Sequence, residues 1–385
     1  VKIVIAPDSF KENLTSMQVA TCIEKGIKKV LPKARCIKVP MADGGEGTVQ
    51  SLVDATGGRI MKKQVTGPMG EMTSAGYGLL GDGKTAVIEM AEASGLPLVP
   101  RDQRNPLLAT TYGTGELIMD ALNRGATTII IGLGGSATVD GGAGMAQAIG
   151  VRFLSKDGKL IREYLGGGML DRIHAIDTNG VDRRIRKTRF IIASDVTNPL
   201  CGKNGAAHVF GPQKGATPAM VKMLDRNLRH YADLIRRHLK KDVLNRPGAG
   251  AAGGLGAGLL AFTGAKMKRG VDLVVEITGL KKHLKGADLV ITGEGRVDFQ
   301  TAFGKTPAGV AKAARACRVP CIAIGGSLAD DARGVFDHGI AGLESAAARD
   351  MDLATAIANS RKHLEFAGER VMRLLLTGKG LAKKR

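Results

Sequence analysis

Tryptophan is absent from the 385 residues, tyrosine occurs four times, and aromatics together make up 3%. A single-strand nucleic-acid binder stacks bases on aromatic side chains, and this chain lacks them; nor is any basic helix free of interleaved Asp or Glu. Long apolar runs are missing too. Lys, Arg, Gly or Asp interrupts each one before the roughly 20 residues needed to cross a bilayer, and the mean hydropathy is +0.00, so no membrane role is expected. The cysteines, Cys22, Cys36, Cys201, Cys317 and Cys321, are odd in number and form no CxxC pair, which argues against a disulfide framework or a zinc knuckle. The seven histidines are scattered without an HExxH. Acid–base chemistry therefore falls to carboxylates. The chain opens on a strand-like run at 1–5, without the charged, apolar and small-residue regions of a secretory signal, and a cytoplasmic location is expected.

Glycine and positive charge are abundant instead. The 54 glycines follow no fixed period and accompany only 13 prolines, which excludes collagen and low complexity. The formal charge of +20 reads as solvated surface with some attraction for anionic substrates, and the Lys383, Lys384, Arg385 end as a solvated tail. Glycines cluster at the ends of six short aliphatic runs, at 1–6, 36–41, 128–133, 190–194, 289–292 and 321–324. Such runs are the pattern of strands buried on both faces of a parallel sheet. Amphipathic segments lie between them. Thr15 and Gln18 make a capping box, Thr217-Pro218 and Thr306-Pro307 each place an N-cap before a helical proline, and Asp352 is placed to cap one long final helix. The alternation implies α/β architecture. It breaks at 59–91, where Gly67-Pro68 and Gly81-Asp82-Gly83 punctuate strand-like text; this reads as antiparallel hairpins opening a second domain. The basic stretch at 181–187 reads as an exposed connection.

In open parallel sheets ligands bind beyond the carboxyl ends of the strands, so the residues after each apolar run carry the chemistry. They are Pro7-Asp8-Ser9-Phe10-Lys11-Glu12; Ala42-Asp43-Gly44-Gly45-Glu46-Gly47-Thr48; the glycine-rich 134–142; Asp195-Val196-Thr197-Asn198-Pro199 with Gly211-Pro212-Gln213-Lys214-Gly215; and Gly293-Glu294-Gly295-Arg296-Val297-Asp298 with Gly304-Lys305-Thr306. Glycine loops bring backbone N–H groups to phosphate oxygens, hydroxyls and ammoniums stabilise the charge, and carboxylates hold Mg2+ or orient an attacking hydroxyl. Gly and Asp also make ordinary turns, but five strand ends with the same mixture point to phosphoryl transfer. Two tempting matches are set aside. Gly304-Lys305-Thr306 resembles the end of a Walker A, yet Phe299 stands where its first glycine is required. Gly248-x-Gly250-x-x-Gly253 lacks a preceding strand and reads as a close-packed helix start rather than a dinucleotide loop.

The ordered series formed by 4–12, 43–48, 132–144, 194–202, 210–216, 247–260 and 292–305 resembles the motifs of the glycerate kinase type 1 family, to about residue 376. The resemblance implies ATP and Mg2+, D-glycerate as acceptor and 2-phosphoglycerate as product, with 3-phosphoglycerate or a non-catalytic sugar-acid binder as alternatives. It also implies two α/β domains, a Rossmann- or flavodoxin-like parallel-sheet domain built from both chain ends (1–64 plus 285–385) and an inserted domain (65–284), with the active site in the cleft between them. The partners are then small molecules, with no nucleic acid and no membrane; a homodimer is left open. Val139, Ala302-Phe303 and His208 depart from the family pattern but remove no lysine or carboxylate of the loops. Gly134, Gly135, Ser136 and Thr138 are expected to line the nucleotide phosphates, after a buried strand and opening a helix. Asp8, Ser9, Asp43, Glu46 and Asp298 are assigned to substrate. With no suitably framed histidine, the base that receives the acceptor proton is a strand-end carboxylate, Asp195 first, Glu294 and Asp298 next. Lys11 neutralises the substrate carboxylate or the moving phosphoryl group, and Asp195 and Glu294 are expected to hold the metal.

Overall fold

The computed structural model describes residues 1–347 and 349–382, so the basic tail at 383–385 lies outside the described residues. The chain divides into two compact units, Val1–Thr56 with Gly270–Arg385, and Gly57–Arg269. Its strands are β1 (Lys2–Ile5), β2 (Arg35–Lys38), β3 (Arg59–Thr66), β4 (Met72–Leu79), β5 (Thr85–Glu89), β6 (Thr128–Gly132), β7 (Arg152–Leu154), β8 (Ala175–Asp177), β9 (Arg189–Ala193), β10 (Lys266–Lys268), β11 (Leu289–Val297), β12 (Cys321–Leu328) and β13 (Gly342–Ser345).

The first unit is a five-stranded parallel sheet in the order β13-β12-β11-β1-β2. Counted within the unit this is 2-1-3-4-5, the flavodoxin-like order, in which direction reverses between the first and third strands. Here that switch point lies between β1 and β11. Helix Ser16–Val30 starts on the expected capping box, Thr15 Oγ1 accepting from Gln18 N and Gln18 Oε1 from Thr15 N. It buries Val19, Ile23 and Ile27 against Leu364, Ala367 and Val371 of helix Ser360–Ala382. Asp352 does cap a helix, accepting from Thr355 N at 2.7 Å, but that helix is Leu353–Ala358 and stops at Asn359; the single long final helix is two.

The second unit holds a six-stranded sheet, β10-β9-β6-β5-β4-β3, and a β7-β8 ladder. β3, β4 and β5 pair antiparallel as the punctuation at 59–91 implies, and from β5 to β10 the pairing is parallel. All of β3 belongs here, because its eight residues pair with β4, so the chain enters this unit at Gly57 rather than at 65. It leaves at Arg269 rather than at 284, since helices Gly270–Ile277 and Leu280–Leu284 pack on helix Thr306–Ala316 of the first unit. No strand leads into the glycines at 248–253; they run into helix Leu255–Phe262 as a close-packed start. Among the described residues no helix is long and apolar enough to cross a membrane.

Candidate active site

At the switch point, Asp8 leaves β1 with its N–H on the Gly293 carbonyl of β11 (2.8 Å), which brings it beside Glu294. Ser16, the first residue of its helix, ties this loop to the next: its hydroxyl donates to Pro7 O (2.6 Å) and accepts from Met41 N (2.9 Å). Asp43 follows, its Oδ1 accepting from Gly45 N. A cavity of about 720 Å³ opens over these ends, lined among others by Asp8, Ser9, Lys11, Asp43, Glu294 and Asp298. Glu46 lies in a smaller adjoining cavity, which Ser9 and Lys11 also line. Six of the residues expected at the site from sequence are therefore together, with Glu46 next to them.

Burial, with the Asp43 carboxylate adding, pushes the Asp8 carboxyl up to about 7, against hydrogen bonds from Thr306 and Ser9 that favour its charged form. Burial also raises Glu294, whose Oε1 is enclosed without a hydrogen-bond partner. Lys305 answers part of this negative charge, its Nζ lying 3.5 Å from Glu294 Oε2 and 3.7 Å from Asp298 Oδ1. Thr306 sits inside its helix, with Lys305 as N-cap, so its hydroxyl is free to donate to Asp8 instead of capping as the sequence suggests. Lys305 and Thr306 lie in a stretch that the sequence marks as carrying chemistry but to which it assigns no role; here they stand at a carboxylate cluster rather than in a P-loop. Lys11 is exposed at the rim.

The remaining expected residues belong to the second unit, at the carboxyl edge of its sheet. The 134–138 loop follows β6 and Asp195 follows the adjacent β9. Gly134 and Gly135 are exposed, and the loop is laced to the segment before it by Leu96 N to Gly135 O (2.8 Å) and Ala137 N to Ser94 O (2.9 Å). It does not open a helix. Helix Ala143–Ala148 begins later, and the Gly142 and Gly144 amides at its start are taken by the buried Asp140 carboxylate. Behind the loop stands Lys214, fully buried, its ammonium pulled down to about 7 by that burial. Asp195 is exposed and ion-paired to Arg269 (3.3 Å). It stands in a different unit from Glu294. Among the described residues no group of three or more His, Cys, Asp or Glu side chains is arranged to hold a metal.

The glycerate kinase family model matches residues 3–376. The chain belongs to the glycerate kinase family. It is accordingly an enzyme of the kinase class. It is 54% identical to the glycerate kinase of Bacillus subtilis, over 94% of this chain and 95% of that one. It is also 53% identical to the glycerate 2-kinase of Escherichia coli, over 88% of each. The crystal structure of a chain assigned as glycerate kinase 2 from Salmonella typhimurium matches it with a TM-score of 0.91 at 49% identity, over 99% of both chains.

Proposed function

We propose that this protein transfers the γ-phosphoryl group of ATP to the 2-hydroxyl of D-glycerate in the cytoplasm, giving 2-phosphoglycerate and ADP. The observation that carries this reading is the switch-point cavity, where an acid poised near neutrality stands among Glu294, Asp298 and Lys305. The 2-position follows the name of the Escherichia coli relative. As the acceptor oxygen bonds to phosphorus, the bond from phosphorus to the ADP oxygen breaks and the hydroxyl proton must leave. Asp8 is the group suited to take it: a base works best with its pKa near the working pH, whereas Asp195 is exposed and paired with Arg269. Lys11 and Lys305 balance the anionic substrate and the transferring group. The 134–138 loop serves the nucleotide phosphates.

A divalent cation fits the donors present. The unpartnered Oε1 of Glu294 and the carboxylate of Asp43, which lines the same cavity, match Mg2+, which takes one or two carboxylates and keeps waters and phosphate oxygens for the rest. When bound, Mg2+ would neutralise phosphate charge. Asp195 is not needed for this.

The test is an enolase-coupled assay with ATP and D-glycerate, run without phosphoglycerate mutase. Pyruvate formation is expected; a signal that appears only after mutase is added means phosphorylation at the 3-position, and no ADP release overturns the kinase reading. In the same assay Asp8→Asn is expected to lower kcat on the order of 100-fold or more, the size of general-base effects, and Asp195→Asn far less. The reverse order would return the base role to Asp195.

A further inference from the structure

Lys214 is held by the loop assigned to the nucleotide. It lies in a tight turn, 211–216, in which Lys214 N and Ala216 N both bond to Gly211 O. That turn sends its side chain inward until only 2% of the residue is exposed. Nζ donates to Ser136 Oγ at 2.6 Å and to the Thr138 carbonyl at 2.7 Å. Both acceptors belong to the 134–138 loop. Gly253 also packs on Thr138, where a Cβ would fall 1.8 Å from the same carbonyl oxygen, so two segments, 211–216 and the turn at Gly253, meet that carbonyl.

Burying an amine is costly, and packing alone would be served better by an apolar side chain of the same length. No carboxylate repays the cost directly. Asp140, the buried carboxylate that acts on it electrostatically, spends its oxygens on Thr111 N, Thr111 Oγ1, Gly142 N and Gly144 N. The Thr138 hydroxyl is buried without a partner, so within this loop the lysine rather than that hydroxyl makes the link to Ser136 and the Thr138 carbonyl. We propose that Lys214 is a positioning residue for nucleotide binding: it fixes the Ser136 hydroxyl and the turn of the 134–138 loop from behind and does not itself touch ATP. This rests on the reading that the loop holds the nucleotide.

The experiment is a double-mutant cycle on ATP affinity, measured by calorimetry with Lys214→Met, Ser136→Ala and the pair, alongside KM for D-glycerate. Lys214→Met is expected to weaken ATP binding about tenfold or more, the range of a lost charge-assisted hydrogen bond, with KM for glycerate unchanged. The double variant should be little worse than the poorer single one, because each change breaks the same link. Additive losses, or unchanged ATP affinity in folded Lys214→Met while Ser136→Ala weakens it, overturn the positioning role and leave the nucleotide site standing. Unchanged affinity in both variants overturns the nucleotide assignment of the loop and this inference with it. If Lys214→Met does not fold, Ser136→Ala decides through amide hydrogen exchange. Removing that hydroxyl should speed exchange across 211–216 as ATP binding weakens, and unchanged exchange there would break the proposed link.

Discussion

Asp8 meets three influences that oppose its ionisation, namely burial, Asp43 and Glu294, and two that favour it, the Thr306 hydroxyl and the Ser9 amide. The opposing set wins. A folded-state value of about 7 against the ordinary 3.8 means that above about pH 7 the folded protein carries an ionised group it would be better without. As pH falls from there toward 3.8, the folded form holds a proton that the unfolded form lacks, so this contribution to stability grows on acidification and fades on the way up. Asp8→Asn, neutral at every pH, should therefore raise Tm by about a few degrees near pH 8, the gain shrinking toward about pH 5, while kcat collapses. A thermal-melt series across that range checks it; a variant no more stable at high pH would show that the native carboxylate bears no such penalty. Asp8 itself was visible in the sequence as the polar residue after the first apolar run. Its raised pKa was not. That comes first from burial and then from Asp43, with Glu294 adding to it and the Thr306 hydroxyl opposing it, and the β1–β11 pairing and the folding of residues nearly 300 positions apart create that setting.

Between elements, one tight joint of the first unit is the crossing of helices Ser16–Val30 and Ser360–Ala382. A Cβ on Gly26 would stand 1.9 Å from the Glu365 carbonyl oxygen, so the helix axes approach to a distance that only glycine permits. Gly26→Ala is expected to destabilise the protein by about 1–3 kcal/mol, as overpacking does. Gly334→Ala, whose Cβ meets nothing within 4 Å, should stay within about 0.5 kcal/mol. Urea unfolding of the two variants checks this, and equal stabilities would mean that the helices are not packed this closely. Ser16 starts the first of these helices and clamps the loops after β1 and β2, so loosening the crossing should also raise KM for the acceptor. Element type was largely legible in sequence, because continuous aliphatic runs and capping boxes are local signals. All six runs are strands, and Thr15 caps as read. The partition was less legible: two of those strands, β6 and β9, belong to a second sheet, and pairing partners are set by tertiary contacts that a run of Ile and Val does not encode. The break at Asn359 and the one-residue shift at Thr306 have the same origin, since propensity fixes a helix's existence better than its ends.

For the molecule as a whole, a net charge of +20 faces substrates that are anionic, and the first unit's cavity carries cations of its own in Lys11, Arg296, Lys305 and Arg349. Two electrostatic effects must then be told apart. The field of the entire surface acts over a Debye length, about 10 Å at 0.1 M salt, and raises the local concentration of an approaching anion. Contacts inside the cavity act at a few ångströms and are screened much less. The first effect enters the encounter step, hence kcat/KM; the second is built into the bound complex, hence kcat. Raising NaCl from about 0.05 to 0.5 M shortens the screening length roughly threefold, so kcat/KM for D-glycerate should fall several-fold while kcat changes little. The ionic strength must be varied at fixed free Mg2+ and ATP, so that nucleotide speciation does not enter. If kcat falls in parallel with kcat/KM, salt is acting on the Asp8, Glu294 and Lys305 cluster itself. Flat kcat/KM would mean that the +20 surface does not steer the acceptor and that its charge is solvated without influence on catalysis.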